Sequence, residues 1–199
     1  MNSRTLRRAA VDLAAVLTAA VAVTLAGAGT ASATTATTTT QAAQAHAGVA
    51  KSTRTAAALT YHQFAARHSA KCLDVSGVSG SNGAVVHQWT CLDDQHNQQW
   101  RLRAVGGGYY QLVVAHSAKC LDVSGVSFRD GAVVHQWTCL ANQYNQQWRF
   151  AYVGAGFYQL VARHSGKCLD VSRVSTSNGA VVHQWTCLPN QYNQQWRFV

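Results

Sequence analysis

Three aspartates, Asp74, Asp122 and Asp170, each follow a cysteine by two positions, and three tryptophans, Trp89, Trp137 and Trp185, each precede another cysteine by two. An ionised Asp accepts hydrogen bonds from two adjacent hydroxyls, and an indole offers a flat apolar face. Side by side, they meet both demands of a sugar ring: polar contacts for its hydroxyls and a surface for its C–H face. His87, His135 and His183 stand two residues before those tryptophans and add a group that can donate or accept.

The acidic residues also exclude chemistry. All seven are Asp, and the chain has no Glu. A HExxH zinc protease, the Glu acid/base pair of a typical glycosidase and the closing Glu of an EF-hand are therefore impossible. Glycoside hydrolysis by Asp alone needs two carboxylates in different environments, whereas this Asp set is nearly threefold symmetric and only Asp93, Asp94 and Asp130 break it. A Ser/His/Asp set can be drawn from His68, Ser69 and Asp74, but its pieces recur at His116-Ser117 and His164-Ser165 with no nucleophile elbow. Binding is expected rather than catalysis.

The elements that must hold these residues follow from repetition. A shift of 48 residues superimposes the chain on itself twice: Lys71–Ser76 recurs at Lys119–Ser124 and Lys167–Ser172. Gly83–Leu92 recurs unchanged at 131–140 and 179–188, and Asn97–Arg101 at 145–149 and 193–197. Within a repeat, runs such as Tyr109–Val114, Cys120–Val123, Val133–Trp137 and Gln146–Phe150 are rich in β-formers. They are separated by turn signals at Asn82-Gly83, Asp130-Gly131, Asn178-Gly179 and Gly106-Gly107-Gly108. Four strands in each of three repeats predict an all-β fold of twelve short strands. A closed antiparallel barrel with threefold pseudosymmetry leaves no open edge and suits that count.

The six cysteines, Cys72, Cys91, Cys120, Cys139, Cys168 and Cys187, obey the same repeat in pairs 19 residues apart. Six cysteines allow fifteen connectivities. Symmetry and chain proximity favour Cys72–Cys91, Cys120–Cys139 and Cys168–Cys187; the competing reading is zinc, since His87 stands four residues before Cys91. If Cys72 sits opposite Cys91, Asp74 faces Trp89 directly, and alternation puts Cys72, Asp74, His87, Trp89 and Cys91 on one face. Leu73, Val75 and Val86 then point to the core. Trp100, Trp148 and Trp196, among apolar neighbours, are expected in the core as well.

The N-terminus reads as a segment apart. Arg4, Arg7 and Arg8 precede an apolar run from Leu13 to Ala26, and Ala31-Ser32-Ala33 supplies a signal-peptidase pattern. The run is about 14 residues, short of the ~20 that span a bilayer. Residues 1–33 are thus expected to be a signal peptide, 34–57 a Thr/Ala-rich flexible linker and 58–199 the folded domain. The formal charge of +9 loses three Arg and Asp12 with the leader, then Lys51 and Arg54 with the linker. The remaining 11 basic residues are scattered rather than clustered, which argues against a nucleic-acid partner.

Threefold CLDV, paired cysteines and NQxW in every copy resemble the ricin B-type β-trefoil lectins and the related carbohydrate-binding modules of secreted bacterial glycosidases. The resemblance spans about residues 58 to 199. It implies a β-trefoil that binds galactose- or xylose-type glycans without catalysis, cofactor or metal. It also implies a secreted, free-standing module, monomeric and not inserted into membranes. The site residues it implies are Asp74, Trp89, Asn97 and Gln98; Asp122, Trp137, Asn145 and Gln146; and Asp170, Trp185, Asn193 and Gln194. His87, His135 and His183 occupy a position where that family often has Gln, which leaves the sugar preference open. A trefoil used for protein contact, such as protease inhibition, is the alternative, and a glycoside hydrolase a more distant one.

Overall fold

A computed structural model of the protein describes residues 59–199; the expected signal peptide and linker lie outside them. Twelve strands form, four per repeat. They are β1 (Phe64–Ala66), β2 (Cys72–Val75), β3 (Val86–Trp89), β4 (Trp100–Gly106), β5 (Tyr109–Val114) and β6 (Cys120–Val123). The remainder are β7 (Val134–Trp137), β8 (Trp148–Gly154), β9 (Phe157–Ala162), β10 (Cys168–Val171), β11 (Val182–Trp185) and β12 (Trp196–Phe198). The order β1-β12-β9-β8-β5-β4 makes a six-stranded antiparallel wall, and a bridge between His62 and Trp100 joins its ends. The hairpins β2–β3, β6–β7 and β10–β11 attach to it through single contacts such as Ala65 with Cys72. This all-β architecture is a β-trefoil.

All three expected disulfides are present, with Cα–Cα distances of 5.0 Å, so every cysteine is oxidised and the zinc reading falls. The hairpin register differs from expectation by two residues. Cys72 lies opposite Trp89 and Asp74 opposite His87, rather than Cys72 opposite Cys91. The ladder stops at Trp89 because the Thr90 amide donates instead to Asn178 Oδ1 of the third repeat, at 3.0 Å. A shift of two preserves side-chain parity. Asp, His and Trp therefore still share one face, and Leu73, Val75 and Val86 still enter the core, now accompanied by Gln88.

Trp100, Trp148 and Trp196 are fully buried, and their indole nitrogens donate to the carbonyls of Leu73, Leu121 and Leu169 at 3.0–3.1 Å. Each QxW strand is thereby tied to the CLDV strand of its own repeat. Backbone ladders join the repeats at β4–β5, β8–β9 and β1–β12, and buried amides add side-chain bonds between them. Gln136 Nε2 donates to the carbonyls of Ser79 and Ser81 in the preceding repeat, and its Oε1 accepts from Ser117 Oγ at 2.7 Å. Gln88 bridges to Ser175 and Ser177 in the same way, and Gln184 to Ser127 and Arg129, which closes the ring. His68, His116 and His164 reinforce it by presenting Nε2 to the carbonyls of Ser175, Ser79 and Ser127. No repeat satisfies its own polar groups alone.

The turns before β3, β7 and β11 carry a second ring. Asn82 Oδ1 accepts from the Thr138 amide at 2.9 Å and Asn178 does the same for Thr90. In the middle repeat Asp130 replaces Asn, accepts from the Thr186 amide at 2.7 Å and pairs with Lys167 Nζ at 2.7 Å. The Lys167 hydrogen bond holds the Asp130 carboxyl below the usual carboxylate range; the Thr186 bonds add to this, while partial desolvation opposes it.

Replacing Gln136 by Ala empties a fully buried position and removes its three hydrogen bonds to Ser79, Ser81 and Ser117, although His116 still reaches the Ser79 carbonyl, and should destabilise the domain by about 1–3 kcal/mol in chemical unfolding. A second expectation concerns pH. The native Asp130 carboxyl titrates below its unfolded value, so its contribution is complete at neutral pH and disappears as pH falls through the depressed native value. The pair is partly exposed and the effect is small. Thermal melts of D130N, which introduces an amide like those of Asn82 and Asn178 and keeps an acceptor for the Thr186 amide, should fall below wild type at neutral pH and converge with it in acid. A pH-independent difference would refute the assignment.

Candidate functional site

The CLDV strand places Asp74 almost fully buried, 5% exposed, at the base of a cavity in the first repeat. Among the described residues no Lys or Arg compensates it. His87 presents Nε2 to Asp74 Oδ1 at 2.8 Å, while Asn97 Nδ2 and Gln98 Nε2 both donate to Oδ2 at 2.9 Å. Asp122 and Asp170 repeat this arrangement with His135, Asn145 and Gln146, and with His183, Asn193 and Gln194, at 2.8–2.9 Å. A carboxylate has about four acceptor positions. Three are filled by the protein, and one on Oδ1 remains.

The Asn and Gln of each NQ pair are not on a strand, as the sequence suggests. Tyr144–Gln146 and Tyr192–Gln194 form 3-10 turns, and β8 and β12 begin only at the following Trp. The turn sends the two amides inward together, where an extended strand would send them to opposite faces. Their duties then diverge. Gln98 is fully buried, donates to the Thr90 carbonyl as well as Asp74, and accepts from the Leu92 amide. It stands behind the carboxylate. Asn97 donates to Asp74 and to the Val75 carbonyl, but its Oδ1 is buried with no partner among the described residues. The same orphaned acceptor occurs at Asn145 and Asn193. A buried acceptor left unpaired costs about 1–3 kcal/mol, so one recurring in every repeat calls for a partner.

Above the carboxylate, Trp89, Trp137 and Trp185 are 39–40% exposed and their imidazole neighbours stack on them, with centroids 5.4–5.5 Å apart. Each Trp is backed by a glycine of another repeat. A Cβ on Gly179 would lie 3.9 Å from Trp89, one on Gly83 3.9 Å from Trp137, and one on Gly131 3.8 Å from Trp185. All three glycines have positive φ, 80–82°, so the turn both needs glycine and leaves room for the indole edge.

Residues absent from the sequence reading complete each cavity. Val78, Val126 and Val174 line them, with φ of 51–53°, a strained region for a β-branched side chain. Their signal is the recurring Ser-Gly-Val after CLDV, which becomes Ser-Arg-Val in the third repeat. Cavity volumes are about 340, 330 and 430 Å³ in repeat order, and the largest has Arg173 where the others have Gly77 and Gly125. The Ser/His/Asp set does not assemble. Ser69 Oγ donates to Gln88 Oε1, His68 faces the Ser175 carbonyl, and Asp74 is engaged by His87 instead.

Solved structures share this fold. A designed threefold-symmetric protein, ThreeFoil, is 51% identical with a TM-score of 0.67, covering 70% of this chain and 97% of that one. An exo-beta-1,3-galactanase from Clostridium thermocellum is 39% identical with a TM-score of 0.67 over 70% of this chain, but the match spans only 30% of the galactanase. The Rhizoctonia solani agglutinin, 16% identical with a TM-score of 0.63, covers 72% of this chain and 96% of its own and shares the fold. A search of curated proteins found no match. Residues 60–196 match the ricin-type beta-trefoil lectin domain, and the chain belongs to that family.

Proposed function

We propose that this protein is a secreted, non-catalytic lectin that holds galactose- or xylose-type sugars at three pseudo-equivalent sites. The observation that carries the reading is the same in every repeat: a buried carboxylate with one acceptor position left, an orphaned Asn Oδ1 beside it and a half-exposed indole above. Two hydroxyls of one sugar can donate to the carboxylate and the amide oxygen while the apolar face of the ring lies on the Trp. Family membership supports carbohydrate binding as the class of function. A galactose-type ligand is supported by identity to part of a beta-1,3-galactanase.

In this reading Asp74, Trp89 and Asn97 touch the sugar, with their counterparts in the other repeats. Gln98, Gln146 and Gln194 hold the carboxylate in place, and His87, His135 and His183 orient it while steadying the indole. Each cavity is shallow and its intrinsic affinity weak, on the order of millimolar. Three sites on one rigid body convert that into retention on a polymer. Secretion of a monomer fits the three disulfides, and residues 1–33 and 34–57 serve as export signal and linker.

The triple substitution W89A/W137A/W185A should abolish pull-down by insoluble galactan and xylan. The indoles are half-exposed but each packs on a glycine turn of another repeat, so the melting temperature should fall as well, and pull-down is read well below it, where the variant remains folded. Undiminished pull-down refutes the reading. Asp122→Ala should behave differently: it removes the acceptor of three donors and should cost about 2–3 kcal/mol of stability as well as the middle site. Urea unfolding read beside glycan binding separates the two losses.

A further inference from the structure

The groove beneath the middle repeat breaks the threefold symmetry. It encloses about 550 Å³, more than any of the Asp–Trp cavities, and is lined by Arg103, Gln111, Asn142, Tyr144, Gln147 and Arg163 among others, with no acidic residue. The Arg163 guanidinium is clamped between two rings, 4.1 Å from the Tyr144 centroid and 4.7 Å from that of Tyr109, and donates to Gln147 Oε1 at 2.7 Å. Arg103 is held by Gln111 Oε1, which accepts from Nη2 at 2.6 Å and from Nε at 3.0 Å. Gln147 is buried, and its amide nitrogen donates to nothing among the described residues.

The other two junctions show what is particular here. At the third, Arg67 is clamped between Phe157 and Tyr192 and bonded to Gln195 in the same way, but Ala151 stands where Arg103 would be. One stacked arginine is therefore a packing device used twice. At the first junction Ala115 replaces Arg163, and the corresponding groove is lined by Asp93 and Asp94. A second arginine, Arg197, also reaches Phe157 at the third junction, 5.8 Å from the ring centroid, but among the described residues no amide fixes it; in the middle groove both guanidiniums are immobilised by neutral amides rather than by carboxylates. Two like charges on one concavity repel unless an anion lies between them, and fixed guanidinium forks match carboxylate and sulfate oxygens.

We propose that this groove is a second class of ligand site, distinct from the three Asp–Trp cavities, that takes the carboxylate or sulfate ester of an acidic saccharide. It rests on the lectin reading only in taking a saccharide as the ligand. The enclosed volume is that of a small-molecule pocket rather than a basic stripe for a nucleic acid. Gln147 Nε2 and Asn142 supply hydroxyl partners, and the exposed edge of Tyr144 supplies an apolar surface.

The full chain is titrated calorimetrically with digalacturonic acid, galactose 6-sulfate, galactose and inorganic sulfate. Either acidic saccharide should bind, more weakly as salt rises, and the tighter of the two identifies the anionic group. R103Q, at an exposed residue whose side chain among the described residues hydrogen-bonds only Gln111 and Cys120, should lower that affinity about tenfold, the equivalent of one charge-assisted hydrogen bond. R103Q/R163Q should remove binding. The W89A/W137A/W185A protein should keep its acidic-saccharide affinity while losing galactose, so failure of the lectin reading is seen separately. Affinity unchanged by both arginine variants, its loss in the tryptophan variant, or inorganic sulfate binding as tightly as galactose 6-sulfate would each overturn the proposal.

Discussion

A buried carboxylate with no Lys or Arg beside it among the described residues is the constraint on which the rest of this structure depends. Desolvating Asp74, Asp122 or Asp170 costs several kcal/mol unless the charge is thoroughly hydrogen-bonded. Each repeat supplies three donors from two separate segments: the imidazole from the strand opposite and two amides from the 3-10 turn or loop before the QxW strand. Satisfying the carboxylate therefore pins β3, the NQ turn and the following strand to CLDV. The same arrangement leaves one carboxylate position and one amide oxygen unfilled. Folding and ligand binding use one network, and the residues nearest the proposed sugar are among those holding the repeat together.

A second dependency runs between repeats. The indole of each site rests against a glycine turn of another repeat, and the strand that carries it ends where an Asn or Asp of that turn captures the Thr amide. Buried glutamines add a further closed ring of bonds. A single repeat would have an incomplete core and an unsupported Trp. Near-identity of the three copies follows, because each turn must fit a partner as well as its own hairpin. Where no such fitting is required, at the junction grooves, the copies diverge: Asp93 and Asp94 at one, paired arginines at another.

Much of this was legible in the chain. The 48-residue period, the turn signals and the cysteine spacing led to twelve strands, three intra-repeat disulfides and the sharing of one face by Asp, His and Trp. The segregation of the tryptophans was also readable, since Trp100 sits among apolar neighbours whereas Trp89 lies on the face of a carboxylate. The register escaped by two residues because a disulfide was assumed to link directly opposed positions, while the ladder was cut short by an amide from a sequence-distant turn. The NQ pair escaped because its β-like composition cannot reveal a 3-10 turn imposed by a buried charge.

The sequence by itself determined the repeat, the strand count, the oxidised framework and which residue types stand ready for a sugar. These are written in local periodicity and in covalent spacing, which act over a few residues. Tertiary structure alone decided which lone pairs remain free, which glycine backs which indole and where two arginines share a groove. Those outcomes depend on hydrogen-bond competition and close approach between segments more than a hundred residues apart, as in the bond from Arg67 to Gln195 across 128 residues, and no local pattern encodes them.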